Sequence, residues 1–219
     1  AGGPAPAARW PLDETAGLVA ADSAGSYDGS LVGFAADNSQ WVPGRVGGGL
    51  EFDGEDDFVG VQGYPGICGK NPRAVLAWIK TRGTPTIRLP VAAWGQDQPG
   101  AYWLVEVDED QRLRLSCGSG FISANEQQVG DGNWHHIAVI LDPVDGDHPL
   151  ISDVLLYVDG QRRTIYRMEE ARIDTGCIEN LRIGAAHGPG ESTFAGVVDE
   201  VSIFGATVTP TAVREAYLK

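Results

Sequence analysis

The feature that most constrains the fold is a series of short apolar runs, many of them alternating, that end at turn-forming residues. Glycine, proline and Asp-Gly pairs close these runs, and the chain holds 30 glycines and 13 prolines in 219 residues. This pattern is typical of many short strands joined by turns and predicts an all-β protein of two packed antiparallel sheets. The runs that we interpret as strands are 47–54, 58–61, 74–81, 102–107, 112–118, 133–142, 154–166, 178–185 and 194–204.

Three segments have the pattern of β-hairpins. One turns at Asp159-Gly160, another at residues 108–111, and a third spans the stretch "FDGEDDFV", residues 52–59. The acidic groups of that stretch are open to three interpretations: a metal site, a catalytic carboxylate pair, or a turn. Because Asp-Gly is a strong turn signal, we favour a hairpin with its carboxylates at a solvated tip.

One helix is predicted, at the C-terminus. Thr209 is a suitable N-cap, and Pro210 follows at the first helical position. Val213, Ala216 and Tyr217 fall on one helical face. The sequence therefore predicts a short helix packed on a β-sandwich.

The length and the net charge of the chain limit its domain organisation and its possible partners. A chain of 219 residues with 42% hydrophobic residues suits a single domain, here residues 9–219 after a Pro/Ala/Gly linker at 1–8, and we expect it to be part of a larger polypeptide. The formal net charge of -14 disfavours a nucleic-acid partner and an anionic membrane. No apolar run is long enough to insert into a bilayer.

The cysteines are odd in number: Cys68, Cys117 and Cys177. At least one must be unpaired, and spacing alone leaves the pairing open. None lies in a C-x-x-C pair, so a zinc or redox site is not indicated. One disulfide is expected if the protein is exported.

Several phrases in order resemble the laminin-G-like jelly-roll domain of the concanavalin A-like lectin/glucanase superfamily. They include "WPLDETAG" (10–17), "DGNWHHIAVILD" (131–142), "LLYVDG" (155–160) and "FAGVVDEVSIF" (194–204). The resemblance extends from Trp10 to Leu218. It implies a two-sheet antiparallel jelly-roll sandwich with a short C-terminal helix.

The resemblance also implies a structural calcium between the N-terminal and C-terminal strands. We assign Asp22, Asp28 and Asp199 as its candidate ligands, with Glu200 as an alternative to Asp199. Loops that mix carboxylates and carbonyls can supply the six to eight oxygens that calcium requires. The competing interpretation is that Asp22 caps a turn and Asp199 binds backbone amides.

A glucanase site is the enzymatic alternative. The stretch "EVDED" (106–110) resembles the strand signature of laminarinase-type glucanases, with Glu106 as nucleophile and Asp110 in the acid position. Asp110 departs from the Glu of that pattern and falls in a predicted turn. Because Trp103, Val105 and Val107 alternate toward the core, Glu106 is predicted to point outward. We therefore expect no catalytic residues.

Ligand binding is assigned to Trp94, Asp97 and Tyr102. Sugars are held by aromatic platforms and by polar side chains, and Trp94 borders a loop. The alternative is that Trp94 packs that loop onto the sheet.

The sequence thus predicts a non-catalytic carbohydrate- or protein-recognition (adhesion) module of an exported bacterial protein. Its partners would be a glycan or an extracellular protein, and its location extracellular, periplasmic or on the cell surface. A structural spacer without a ligand is the remaining alternative.

Overall fold

The computed structural model describes residues 3–188 and 192–219, which form a two-sheet sandwich with one α-helix, α1 (Pro210–Tyr217). All strand pairings in this part of the chain are antiparallel. The strands are β1 (Ala8–Trp10), β2 (Val19–Ala20), β3 (Gly29–Val32), β4 (Trp41–Pro43), β5 (Gly48–Asp53), β6 (Phe58–Gly60), β7 (Arg73–Thr81), β8 (Leu89–Gly95), β9 (Tyr102–Val107), β10 (Leu113–Ser116), β11 (Phe121–Ala124), β12 (His135–Leu141), β13 (Val154–Val158), β14 (Gln161–Arg162), β15 (Ile165–Glu169), β16 (Glu179–Ile183) and β17 (Ala195–Phe204).

The strands divide into an eight-stranded and a nine-stranded sheet. The first has the order β14-β13-β12-β7-β17-β5-β4, with β1 also paired to β17. The second has the order β15-β11-β10-β9-β8-β16-β6-β3-β2. This arrangement confirms the predicted all-β jelly roll and places the N-terminal strand beside the C-terminal one.

The main core lies between the two sheets. Its largest side chains include Trp10, Phe52, Trp94, Trp103 and Phe194, all fully buried. Removing such aromatic surface from water is the main favourable contribution to the stability of the fold.

A second, smaller core lies on the outer face of the eight-stranded sheet, beneath α1. Ala138 and Ile140 of β12 contact this cluster, whereas Ile137, Val139 and Leu141 face the main core. Burial on both faces explains why β12 is the most continuous apolar run in the sequence.

The predicted helix is confirmed at its boundary. Thr209 accepts a hydrogen bond from the backbone N–H of Ala212, and Pro210 opens α1. Ala8, the last residue of the predicted linker, belongs to β1 and is fully buried.

Two of the three predicted hairpins are confirmed. β9 pairs with β10 across a turn in which Gln111 has φ +66°. β13 pairs with β14 across Asp159 and Gly160, both at positive φ, as the favoured two-residue hairpin turn requires.

The prediction for residues 52–59 is wrong. β5 pairs within the eight-stranded sheet and β6 within the nine-stranded sheet, so the stretch crosses between sheets. Its tip is also not fully solvated, since Asp57 is buried and accepts a hydrogen bond from the Asp53 N–H. Burial, with Asp53 and Asp56 nearby, raises the pKa of Asp57 to about 6.

One disulfide joins Cys68 to Cys177, with a Cα–Cα distance of 5.5 Å, and Cys117 is free and buried. Buried Arg73 fastens the same region, because its guanidinium donates to the carbonyls of Ile67 and Gly69. The loop before β7 is thereby fixed to the segment before β16.

Candidate functional site

Two of the three predicted ligand-binding residues line one depression on the outer face of the nine-stranded sheet. Asp97 is exposed in the loop after β8, and Tyr102 opens β9. The depression has a volume of about 410 Å³. It is lined by Arg88, Asp97, Tyr102, Leu104, Arg114, Ser116, Gly118, Ser119, Gly120, Phe121 and Glu169.

Trp94, the third predicted residue, lies on the opposite face of the sheet. It is fully buried, its ring stacks on Trp103 at 5.8 Å, and its indole N–H donates to the Ile67 carbonyl. The prediction of an exposed aromatic platform is therefore wrong. Trp94 belongs to β8, whose alternation directs it into the core together with Ala92.

Alternation along β9 and β10 builds the floor of the depression. Glu106 lies opposite Arg114 in the strand register, on the face away from the main core. The Ser116 hydroxyl donates to Glu106 Oε1 at 2.6 Å, and Arg114 Nε lies 3.1 Å from the same oxygen. Glu106 thus points outward as predicted, yet these side chains cover it, leaving it only 1% exposed.

The burial of Glu106 beneath these side chains affects its pKa. Burial raises its pKa, while the Ser116 hydrogen bond and the Arg114 charge act in the opposite direction. The Arg114 guanidinium lies 3.7 Å from the ring centroid of Phe121. The floor therefore presents a hydroxyl, a guanidinium and an aromatic ring, and the Glu106 carboxylate holds the first two from beneath.

Asp110 does not join Glu106 in this array. It lies in the exposed β9–β10 turn, where its carboxylate pairs with Arg167 at 3.1 Å. A retaining glycosidase needs two carboxyl groups about 5–5.5 Å apart that face one substrate. Here each carboxylate is held by its own arginine.

Tyr102 connects the depression to the segment after β16. Its hydroxyl accepts a hydrogen bond from the His187 N–H at 2.7 Å, and the two rings pack edge to face. Tyr102 is buried, so it shapes the rim of the depression more than it exposes an aromatic face.

Arg88, Arg114 and Phe121 also line the depression, although none of them was predicted from the sequence as a ligand-binding residue. For Arg114, the sequence pattern does indicate a position on this face. In "RLRLS" (112–116), alternation places Arg114 and Ser116 on the face opposite Leu113 and Leu115.

The predicted metal ligands are only partly brought together. Asp28 Oδ1 accepts from the Asp22 N–H at 2.8 Å. The Asp22 carboxylate accepts from the backbone N–H groups of Arg9, Ala24 and Tyr27. Although burial opposes it, these hydrogen bonds lower the pKa of Asp22.

Asp199 has a different set of partners. Its Oδ2 accepts from the N–H groups of Arg45 and Val46, and its Oδ1 is buried with no hydrogen-bond partner among the residues that the structure describes. Glu200, the alternative ligand, forms a two-point ion pair with Arg9.

These carboxylates do not fit one shared calcium site. Backbone N–H donors already occupy both oxygens of Asp22 and one of Asp199. Within residues 3–188 and 192–219, the group of three metal-ligand side chains within 4.8 Å of one another is Asp53, Asp56 and Asp57. Calcium binding stays a prediction, and nothing else in the site depends on it.

The chain matches a known protein family. The model of the laminin-G-type family of the concanavalin A-like lectin/glucanase superfamily matches residues 53–214, more than half of the chain. The chain therefore belongs to this family. No relative was found among curated protein sequences.

Solved structures with the same fold include carbohydrate-related proteins. Domain 4 of AbnA, an extracellular arabinanase from Geobacillus stearothermophilus in complex with arabinotriose, superposes with a TM-score of 0.69 at 18% identity, over 95% of this chain and 96% of that one. A Trypanosoma rangeli sialidase gives 0.65 at 16% identity, over 98% of this chain and 32% of that one. The receptor-binding domain of botulinum neurotoxin type G gives 0.62 at 12% identity, over 98% and 51%.

The chain is thus a domain of the concanavalin A-like lectin/glucanase superfamily and shares its fold with these structures. In the described residues, no helix is long and apolar enough to cross a membrane.

Proposed function

We propose that this domain is a non-catalytic glycan-recognition module and that the depression on the nine-stranded sheet is its binding site. The observation that carries the proposal is the convergence of Asp97, Arg88, Arg114 and Phe121 on one open cavity of about 410 Å³. A site of this kind combines apolar surface with a few fixed polar groups, as sugar recognition requires.

The chemistry of the lining suits sugar hydroxyl groups. Asp97 and Glu169 supply acceptors, and Arg88 supplies donors. Arg88 is held by Glu109 at 2.8 Å and Arg114 by Glu106, so the cations at the floor are already balanced. A neutral oligosaccharide therefore fits better than an anionic one.

The pairing of Glu106 with Arg114 and of Asp110 with Arg167 supports recognition without hydrolysis, because each candidate carboxylate is engaged by a different arginine. Glu106 acts as a positioning residue, since its ion pair fixes Arg114 over Phe121.

We further propose that the module works outside the cytoplasm as part of a larger protein. The Cys68–Cys177 disulfide supports this location, because disulfides persist in oxidising compartments. The domain 4 match supports attachment to a larger protein, since that domain is one part of an arabinanase.

A glycan array followed by titration calorimetry tests the proposal, with arabinotriose as the first defined probe. Asp97→Ala and Phe121→Ala are expected to weaken binding at least tenfold, because each removes a direct contact. Asp147→Ala is a matched control, since Asp147 is exposed and lies outside the depression. No glycan binding by the wild type, or equal loss in the control, would favour the spacer alternative.

A further inference from the structure

A second cavity lies on the other side of the molecule, between α1 and the N-terminal segment, and has a volume of about 310 Å³. That volume is in the range of small-molecule sites. Its lining residues are Gly3, Pro4, Pro6, Arg9, Val46, Leu76, Trp78, His136, Glu200, Ser202, Phe204, Val208, Ala212, Glu215, Ala216 and Lys219.

The cavity exists because α1 covers only part of the sheet beneath it. The helix has eight residues and is about 12 Å long. Ala212 and Ala216, which face the cavity, have short side chains that do not fill the remaining space. The segment from Gly3 to Pro6 supplies another wall, and a Cβ on Gly3 would lie 3.1 Å from Ala212 Cβ.

An aromatic cluster borders the cavity. Trp78 and His136 are cross-strand partners on β7 and β12, with ring centroids 5.3 Å apart in an edge-to-face arrangement. Tyr217 of α1 packs on both, at 5.6 Å from Trp78 and 6.3 Å from His136. Such clusters accept a further ring in the same edge-to-face geometry.

His136 brings a polar group to this apolar site. The residue is 2% exposed, and its Nδ1 has no hydrogen-bond partner in the described part of the chain. Because Nδ1 is enclosed, Nε2 is the nitrogen that a ligand can reach. Burial lowers the pKa of His136 to about 4, so the ring is neutral at neutral pH and offers one hydrogen bond without a charge.

The charges around the cavity cancel. Arg9 pairs with Glu200 at 2.7 Å, and the remaining charged side chains of the lining are Glu215 and Lys219, of opposite sign. The protein as a whole has a formal net charge of -14, so this charge balance is a property of the cavity lining alone. An ionic ligand would lose its hydration without gaining a net counter-charge from the lining side chains; Arg45, whose guanidinium lies 4.9 Å from the Trp78 ring centroid, is outside this lining.

We propose that this cavity binds an uncharged planar ring that carries one hydrogen-bonding group, of the kind represented by phenol or indole. The ring would pack against Trp78, Leu76 and Phe204, and its polar group would meet His136 Nε2. This site is separate from the glycan-binding depression and independent of it.

Titration calorimetry with phenol, indole, toluene and benzoate tests the proposal. We expect saturable binding of phenol and indole and at least tenfold weaker binding of benzoate, whose charge has no partner. Ala216→Leu, which fills the cavity, is expected to weaken phenol and indole binding at least tenfold. Thr211→Leu adds the same side chain to an exposed position of the same helix outside the cavity and should bind as the wild type does.

His136→Phe separates the polar contact from the shape of the site. It should weaken phenol binding several-fold and leave toluene binding unchanged. Circular dichroism and thermal melting confirm that each variant is folded. No saturable binding of phenol or indole to the wild type, or equal binding by Ala216→Leu and Thr211→Leu, would overturn the proposal, whereas glycan binding is measured separately and does not depend on these outcomes.

Discussion

Individual buried carboxylates make the stability of this domain depend on pH. Burial raises the pKa of Asp199 to about 7, with Glu200 and Asp13 contributing, while the Arg45 and Val46 N–H groups oppose the shift. The folded protein therefore keeps a proton on Asp199 between about pH 4 and pH 7, where the unfolded chain releases it. Folding stability from this group falls as pH rises through that window.

Asp199→Asn should remove this dependence, because an amide does not ionise. The free energy of unfolding of the variant should rise relative to that of the wild type between pH 4 and pH 7, by at most about 4 kcal/mol. Urea denaturation at several pH values measures the difference. Asp57, whose pKa is also raised, contributes equally to both proteins. If the free energies of unfolding of the two proteins changed with pH in parallel, ionisation of Asp199 would cost the folded protein little stability.

A substitution at Asp22 distinguishes two roles of its carboxylate, as a hydrogen-bond acceptor and as a metal ligand. Asp22→Ala leaves the backbone N–H groups of Arg9, Ala24 and Tyr27 without their acceptor. We expect a loss of about 2 kcal/mol or more. Because the structure assigns these hydrogen bonds to stability, the drop in melting temperature should be the same in calcium and in a chelator. A drop seen only with calcium would restore Asp22 as a ligand.

Trp94 shows where residue-level reasoning from the sequence fails. Its neighbours in "AAWGQDQPG" suggested a loop border, yet β8 continues through Gly95. The cross-strand stack on Trp103 fixes its face, and that pairing joins residues that sequence pattern alone does not connect. Asp97 and Tyr102, in contrast, do line one cavity as predicted.

At the scale of secondary-structure elements, α1 depends on its cap. Thr209→Ala removes the hydrogen bond to the Ala212 N–H and should cost about 1 kcal/mol, whereas Thr209→Ser should cost less, because serine is also a good cap. Chemical denaturation measures both variants. Equal losses would mean that packing of the threonine methyl group, not capping, is what the residue contributes.

The sequence largely predicted which segments form strands, but it did not predict which strands pair with each other. The local signals of the β9–β10 and β13–β14 hairpins agree with their pairing because each hairpin turn joins neighbours in the same sheet. The stretch 52–59 carries the same Asp-Gly signal but joins different sheets. A turn residue specifies a change of direction, and long-range packing of Phe52 and Val59 decides which sheet each strand joins.

At the scale of the whole molecule, the disulfide links segments that are far apart in sequence. The bond between Cys68 and Cys177 spans 109 positions, and the loop-entropy account gives about 4–5 kcal/mol for a loop of that length. The double variant Cys68→Ser/Cys177→Ser should therefore melt at a clearly lower temperature than the wild type.

A reductant provides the control for this prediction. It should lower the melting temperature of the wild type toward that of the double variant and leave the variant unchanged, since Cys117 is not in a disulfide. A wild type that is insensitive to reductant and a double variant of equal stability would contradict the proposed role of the bond.

The outer face of the nine-stranded sheet is the surface that we propose to bind glycan. The most direct measurement is heteronuclear NMR of the isotopically labelled domain during titration with a glycan found on the array. We expect the amide shifts to concentrate at Asp97, Tyr102, Arg114 and Phe121. Shifts that concentrate instead around α1 and the N-terminal segment, or no shifts with any glycan tested, would contradict it.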